Sequence, residues 1–210
     1  MAKNPNIAMP VIRRLPRYYR FLYDLKENGV TRISSRELSQ RMGLTASQIR
    51  QDLNCFGGFG QQGYGYMVEQ LYDEIGRILG MDKPTDAILL GVGNLGKAVL
   101  NHMDFDNRGF RLIGLFDDNS DLTGVSFGGK EVYPTEKLED FCREHQPKMA
   151  ILCIPKEAAP ELVQRLVDCG VNGFWNFSHY DIAYDHPQAV VENVHMGDSL
   201  MTLSYRMSEN

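Results

Sequence analysis

Cysteine is scarce in this chain. Its 210 residues hold four, Cys55, Cys142, Cys153 and Cys169, and no two are spaced C-x-x-C. That pattern offers neither a zinc site nor a disulfide framework, and it fits a reducing cytoplasm. No apolar run reaches the ~18 residues that span a bilayer, so no membrane partner is expected. The first residues lack the apolar stretch of a secretory signal. The G-x-x-x-x-G-K-[ST] phosphate loop is missing, so the glycine-rich segments need another explanation. Tyr180 has no Lys four residues later, and His102, His145, His179, His186 and His195 have no paired Asp or Arg motif. These absences leave no recognisable catalytic set and no metal site.

What is present begins with a charge asymmetry. The net charge is -5, yet residues 1–60 carry ten Lys/Arg against four Asp/Glu, a net +6 that leaves the other 150 residues at -11. A basic head on an acidic body suits a polyanion-binding segment joined to a second device; a solvated helical surface would give the same count.

Local signals organise the head. Pro16 fits the first turn of a helix carrying Tyr18, Tyr19, Leu22, Tyr23 and Leu25, which Gly29 ends. Ser34-Ser35-Arg36-Glu37 is a capping box for a helix through Leu38 and Met42 to Gly43. Thr45-Ala46-Ser47-Gln48 reads as a second box, opening a helix that buries Ile49 and Leu53. Two short helices around a glycine turn describe a helix-turn-helix, whose second helix enters a major groove by its N-terminal end. Ser47, Gln48, Arg50 and Gln51 would face DNA there, since Arg pairs with guanine and Gln with adenine. Residues 56–66 contain five glycines and four aromatics, the makings of a small hairpin or wing, with Gln61 and Gln62 as further DNA-facing residues. Val68, Leu71, Tyr72, Ile75, Ile78 and Leu79 form an amphipathic helix stopped by Gly80, and 81–85 is the linker.

Residues 88–117 read as strand, Gly91-Val92-Gly93-Asn94-Leu95-Gly96, helix, and a strand ending at Asp117. This is the dinucleotide-binding fingerprint in context. Gly91 allows the tight turn, Gly93 lets backbone approach a pyrophosphate, and Gly96 lets helix pack on strand. The helix from about Asn94 aims its amides at that anion. Asp117, 21 residues after Gly96, accepts from ribose hydroxyls and repels a 2′-phosphate. No Lys or Arg follows until Lys130, which favours NAD+/NADH over the phosphorylated cofactor. Strands over 131–133, 149–154, 173–176 and 190–194 alternate with helices over 135–145 and 156–169, a doubly wound parallel sheet. Ligands bind beyond strand C-termini, so Pro155, Asn176 and Phe177 are candidate cofactor contacts, with ordinary turn chemistry as the rival reading.

The tail gives a helix capped by Asp198 or Ser199, with Leu200, Leu203 and Met207 on one side and Met201 and Tyr205 also apolar. Helix-turn-helix proteins usually pair on two half-sites, so a homodimer packed or swapped through this helix is expected. The domains are then 1–82, winged helix-turn-helix; 83–196, Rossmann; and 197–210, dimerisation helix.

In this order the parts resemble the Rex family of redox-sensing transcriptional repressors. The matching residues are Arg14-Leu15-Pro16, Tyr18-Tyr19-Arg20, Ser34-Ser35 with Leu38, Gln48-Ile49-Arg50-Gln51-Asp52-Leu53, Phe56-Gly57 with the Gly60-x-x-Gly63-x-Gly65-Tyr66 wing, Gly91 to Gly96 and Phe116-Asp117. Ile154-Pro155-Lys156-Glu157-Ala158-Ala159, Asn176-Phe177 and Val191-Glu192-Asn193-Val194 extend the match over nearly the whole chain. The resemblance implies a homodimer with exchanged terminal helices that holds a palindromic operator when NAD+ predominates and releases it when NADH does. It implies no enzyme activity. Gln51 and Gln62 stand where the family commonly has cations, which lowers the salt-dependent part of DNA binding. In the family an N-terminal Arg communicates with a Tyr of the first Rossmann helix and an acid after the Asn-Val pair. The counterparts are Arg20, His102 and His195, with Asp198 able to replace the acid. The rivals are a small NAD-dependent oxidoreductase and a repressor responding to another adenine nucleotide ligand, such as the ADP portion of coenzyme A. Cys55 is read as a small packing residue, with direct thiol oxidation as the alternative.

Overall fold

The computed structural model describes residues 7–57, 59–61 and 64–208. The chain divides into two compact units, Met1–Asp82 and Lys83–Asn210. Gln62 lies outside the described residues, and Gln61 is placed by its backbone in a short strand.

The first unit contains α1 (Met9–Glu27), α2 (Ser35–Met42), α3 (Ala46–Asn54) and α4 (Val68–Ile78). Its small sheet joins β1 (Arg32–Ile33), β2 (Gly60–Gln61) and β3 (Gly65–Met67), antiparallel in the order β1-β3-β2. The expected hairpin is therefore present, and β1 adds an unforeseen third strand that ties it to the start of α2.

The first helix corrects the expectation for Pro16. The helix begins seven residues earlier, with Pro10 in its first turn, and Pro16 lies inside it. An interior proline removes a hydrogen bond and costs about 3 kcal/mol. Leu15, Tyr18, Leu22 and Leu25 are all buried at helical spacing. Each contributes about 2 kcal/mol of burial, which outweighs the proline.

The second unit is a seven-stranded sheet of β4 (Thr85–Leu90), β5 (Phe110–Asp117), β6 (Ser126–Phe127), β7 (Lys130–Pro134), β8 (Met149–Leu152), β9 (Gly173–Asn176) and β10 (Val190–Asn193). Its order is β10-β9-β8-β4-β5-β7-β6, parallel except for β6, which pairs antiparallel with β7. Side chains alternate faces along a strand. Ile88 and Leu90 accordingly join Ala150 and Leu152 in one core, while Leu89 joins Ile151 in the other. The helices are α5 (Asn94–His102), α6 (Leu138–His145), α7 (Ala159–Asp168), α8 (Ile182–Asp185) and α9 (Met196–Ser208). Leu138, Cys142, Val163 and Leu166 from α6 and α7 line the first core, and Val99 from α5 lines the second.

The chain leaves β4 towards β5 and β7, then returns to β8 on the other side of β4. Such a reversal opens a crevice at the strand C-termini, where α/β folds hold ligands. Helix α7 starts three residues later than read from the pattern, because 155–158 form a turn closed by the Ala158 amide on the Pro155 carbonyl. No helix among the described residues is long and apolar enough to cross a membrane.

Candidate functional site

At the C-terminal end of β4 the chain turns through Gly91, Val92 and Gly93 into α5. Gly91 has φ +92, and a Cβ there would sit 2.4 Å from the Cys153 carbonyl oxygen. A Cβ on Gly96 would lie 1.9 Å from the Gly91 carbonyl oxygen. Both glycines are demanded by the chain's own packing. Gly93 is different: its φ is -72, and a Cβ would meet nothing within 4 Å. The space beside it is free, and no side chain caps α5. Asn94 and Leu95 open the helix, so its first amides face that space with their share of the helix dipole.

Asp117 ends β5 beside this turn. Its Oδ2 accepts from the Val92 amide at 2.6 Å and its Oδ1 from the Asn119 amide at 2.9 Å. A carboxylate has about four acceptor sites, so two remain for hydroxyl donors. The acid also holds the glycine turn, a structural task the sequence did not announce. An uncapped helix start, an open space at Gly93 and an acid with spare acceptors together fit an adenine dinucleotide.

The neighbouring strand ends contribute unequally. Pro155 is exposed after β8, and Phe177 is half-buried against Trp175. Asn176 is fully buried. Its amide donates to the Tyr180 carbonyl and to Asn193 Oδ1, both at 2.8 Å. Its carbonyl accepts from the Ser178 amide at 3.0 Å and hydroxyl at 2.6 Å. All four bonding positions are taken, so a direct side-chain contact with a cofactor does not hold for this arrangement. Asn176 instead locks the loop after β9 to β10.

The four residues paired in the switch reading lie apart along the chain. Arg20 is exposed on α1 of the first unit; His102, exposed on the last turn of α5, His195 and Asp198 belong to the second. His195 Nδ1 lies 2.6 Å from His179 Nδ1, with the rings stacked. The Asp198 amide donates to the His195 carbonyl at 3.1 Å, and its side chain is exposed.

In the first unit, Ser34 and Glu37 form the full reciprocal capping box. Thr45 caps α3 by accepting from the Gln48 amide at 3.1 Å, but the Gln48 side chain does not reach back to Thr45. It donates to Asp52 Oδ1 at 2.8 Å. The second box is therefore half formed, because a buried carboxylate one turn on is the stronger acceptor. Ser47, Arg50 and Gln51 are exposed, and Arg50 donates to the Ser35 hydroxyl at 3.1 Å.

Asp52, named in the sequence only as part of the Gln48 to Leu53 match, has a role there that the pattern does not announce. It is 1% exposed and binds Arg14 through two bonds of 2.6 and 2.7 Å, the Tyr18 hydroxyl at 2.9 Å, and Gln48. Burial alone would raise its pKa; the bonds from Arg14, Gln48 and Tyr18 prevail and hold it below the ordinary 3.8. The partners lie 38 and 34 positions away, so no local pattern announces them.

The cysteines divide as well. Burial pushes Cys153 up to about 12; burial, with Cys169 beside it, does the same to Cys142. Both are poor nucleophiles. Cys55 is exposed after α3 and donates to the Gln51 carbonyl at 3.3 Å, which corrects its reading as a packing residue. No group of three or more His, Cys, Asp or Glu among the described residues is arranged to hold a metal ion.

Comparison with known proteins follows the same division. Residues 6–54 match a family model described as "Putative DNA-binding protein N-terminus", and residues 82–180 one described as "CoA binding domain". The chain is 52% identical over 209 residues to the redox-sensing transcriptional repressor Rex of Thermoanaerobacter pseudethanolicus, covering 100% of this chain and 93% of that one. Against the protein of the same name from Clostridioides difficile it is 52% identical over 210 residues, covering 100% and 99%. Among solved structures it is similar to RSP, a Rex-family repressor. RSP with β-NAD+ and operator DNA superposes at a TM-score of 0.89, with 51% identity over 97% of this chain and 93% of that one. RSP with β-NADH gives 0.89 and 48% identity over 98% and 96%.

Proposed function

The chain belongs to the Rex family of redox-sensing transcriptional repressors, and from that premise we propose that it holds operator DNA when NAD+ predominates and releases it when NADH does. It is a repressor and not an enzyme: the cofactor is a signal that is bound and not consumed. The observation that carries this reading is the pairing, in one chain, of a winged helix exposing Ser47, Arg50 and Gln51 with a dinucleotide cradle at Gly93 and Asp117. Action on DNA makes the cytoplasm its place. The direct test follows labelled operator by fluorescence anisotropy while NADH or NAD+ is added; release by NADH alone is expected, and equal release by both, or by neither, contradicts redox sensing.

In this reading the amides of Gly93, Asn94, Leu95 and Gly96 surround the pyrophosphate, while Val92 lines the turn and its amide holds Asp117, which takes the adenosine ribose. Pro155 and Phe177 border the nicotinamide half, and Asn176 holds the loop that carries Phe177. On DNA, Ser47, Gln48, Arg50 and Gln51 meet the major groove, with Gln61 and Gln62 at the wing. A ligand shifts an equilibrium only by its differential affinity, so NADH must bind the DNA-free conformation more tightly than the DNA-bound one.

Replacing Asp117 with Asn removes charge-assisted bonds worth about 1.5–3 kcal/mol. NADH affinity should fall roughly ten- to a hundredfold. The preference for NADH over NADPH should shrink as well, and calorimetry with both cofactors checks this. The description of the family model over residues 82–180 favours coenzyme A as a second ligand. Asp117 opposes it by repelling a ribose phosphate, and calorimetry with coenzyme A decides between them.

The working unit is a homodimer on a palindromic site. Helix α9 has 13 residues and none of them is buried; Leu200 is 68% exposed, Leu203 52% and Met207 68%. An isolated helix shorter than about 12–15 residues is marginal in water, and an apolar surface of this kind calls for a partner. Ending the chain after His195 should give a monomer by analytical ultracentrifugation and weaken operator binding at least tenfold, since each half-site then binds alone.

A further inference from the structure

The geometry points to Asp52 as a specificity-determining residue that never touches DNA: it orients Gln48, the side chain that reads a base, before the operator arrives. This rests on the DNA-reading role proposed above for the start of α3. Gln48 lies in the first turn of α3 and is half-buried, between the exposed Ser47 and the buried Ile49. A free glutamine samples several rotamers and both senses of its amide. Here the amide nitrogen donates to Asp52 Oδ1 at 2.8 Å, so the sense of the amide and its direction are set.

The anchor is itself held. Asp52 is buried, and its two oxygens also take Arg14 from α1 at 2.6 and 2.7 Å and the Tyr18 hydroxyl at 2.9 Å. The carboxylate therefore has no freedom to follow Gln48; Gln48 must conform to it. One amide proton is used by Asp52. The carbonyl oxygen and the second proton remain, and these are the groups with which a glutamine pairs bidentately with adenine. Rigid presentation saves the entropy of fixing a long side chain on binding, and that saving is largest for the base whose edge matches the preset orientation. Asp52 is thus a positioning residue, and its effect is on base preference beyond its effect on folding.

The test measures affinity for an operator and for variants carrying each single base-pair change in the half-site, with wild type, Gln48→Ala, Asp52→Asn, Tyr18→Phe and the Gln48→Ala/Asp52→Asn double variant. Gln48→Ala should flatten discrimination at one base pair. Asp52→Asn should reduce discrimination at that same pair by about threefold to tenfold. The double variant should be no flatter than Gln48→Ala alone. Tyr18→Phe removes a bond to the same carboxylate without touching Gln48, and should lower thermal stability with base preference unchanged. If Asp52→Asn changes all sites equally, Asp52 is only structural and the inference is overturned. If Gln48→Ala leaves every preference intact, the DNA-reading role of Gln48 fails first and takes the inference with it. Should Asp52→Asn not fold, the side-chain amide of Gln48 in DNA-free wild type is followed by NMR. A restrained amide supports the inference, and free rotameric averaging overturns it.

Discussion

Alanine at Gly93 is expected to weaken NADH binding ten- to a hundredfold while leaving the thermal midpoint of the protein within a degree or so of wild type, as calorimetry and thermal unfolding would record. The backbone at Gly93 has φ -72, which alanine adopts freely, and its Cβ would enter open space. In the free protein nothing is disturbed. In the proposed complex that space is taken by the pyrophosphate, and an added methyl in a filled site costs about 1–3 kcal/mol. Gly96→Ala should behave in the opposite way. Its Cβ would lie 1.9 Å from a backbone oxygen of the turn, so α5 must separate from β4, and stability itself falls by about 3 kcal/mol or more. Equal effects of the two alanines on ligand and on fold would remove Gly93 from the cofactor site.

The second large effect concerns the buried ion pair. Asp52→Ala leaves Arg14 without its bidentate partner and Tyr18 and Gln48 without an acceptor. Removing one partner of a buried pair costs about 3–5 kcal/mol. Arg14 is 27% exposed and regains some water, which places the loss near the lower end. For a unit of this size that lowers the thermal midpoint of the winged helix by roughly 10 °C or more. The pH dependence has a definite sign. The folded-state pKa of Asp52 lies below its ordinary value of 3.8. Its stabilisation is therefore complete above that value and is lost as pH falls through the folded pKa. Acid unfolding of the wild type below pH 3.8 should carry this contribution, and the Ala variant should lack it.

Local pattern is legible in the sequence at most sites, the half-formed Thr45 box being an exception. The Ser34 box, the Gly43 turn, the Gly91 to Gly96 fingerprint and Asp117 depend on neighbours within one turn or one βαβ unit, and the structure has the elements they announce. Pro16 shows the limit of a positional rule: the position fits a helix start, but the stripe from Leu15 to Leu25 decides where the helix lies. Asp52 and Asn176 show a different limit. Both look like ordinary polar residues on an element, and their buried networks exist only once distant segments meet. Residue type alone points Cys55 to a packing role, whereas its exposure depends on where α3 ends. The resemblance to Rex supplied the function of the whole and includes Asp52 among its matching residues, but not the role of that carboxylate on the buried face of α3.

The central claim is a coupling between cofactor and operator, and coupling is reciprocal: if NADH loosens DNA, DNA must loosen NADH by the same factor. The most direct measurement is the dissociation constant of NADH, by calorimetry, for the free protein and for the protein saturated with operator, repeated with NAD+. The account predicts NADH binding at least about fivefold weaker on the operator complex, with NAD+ unchanged or tighter. Identical NADH affinity with and without operator would contradict it.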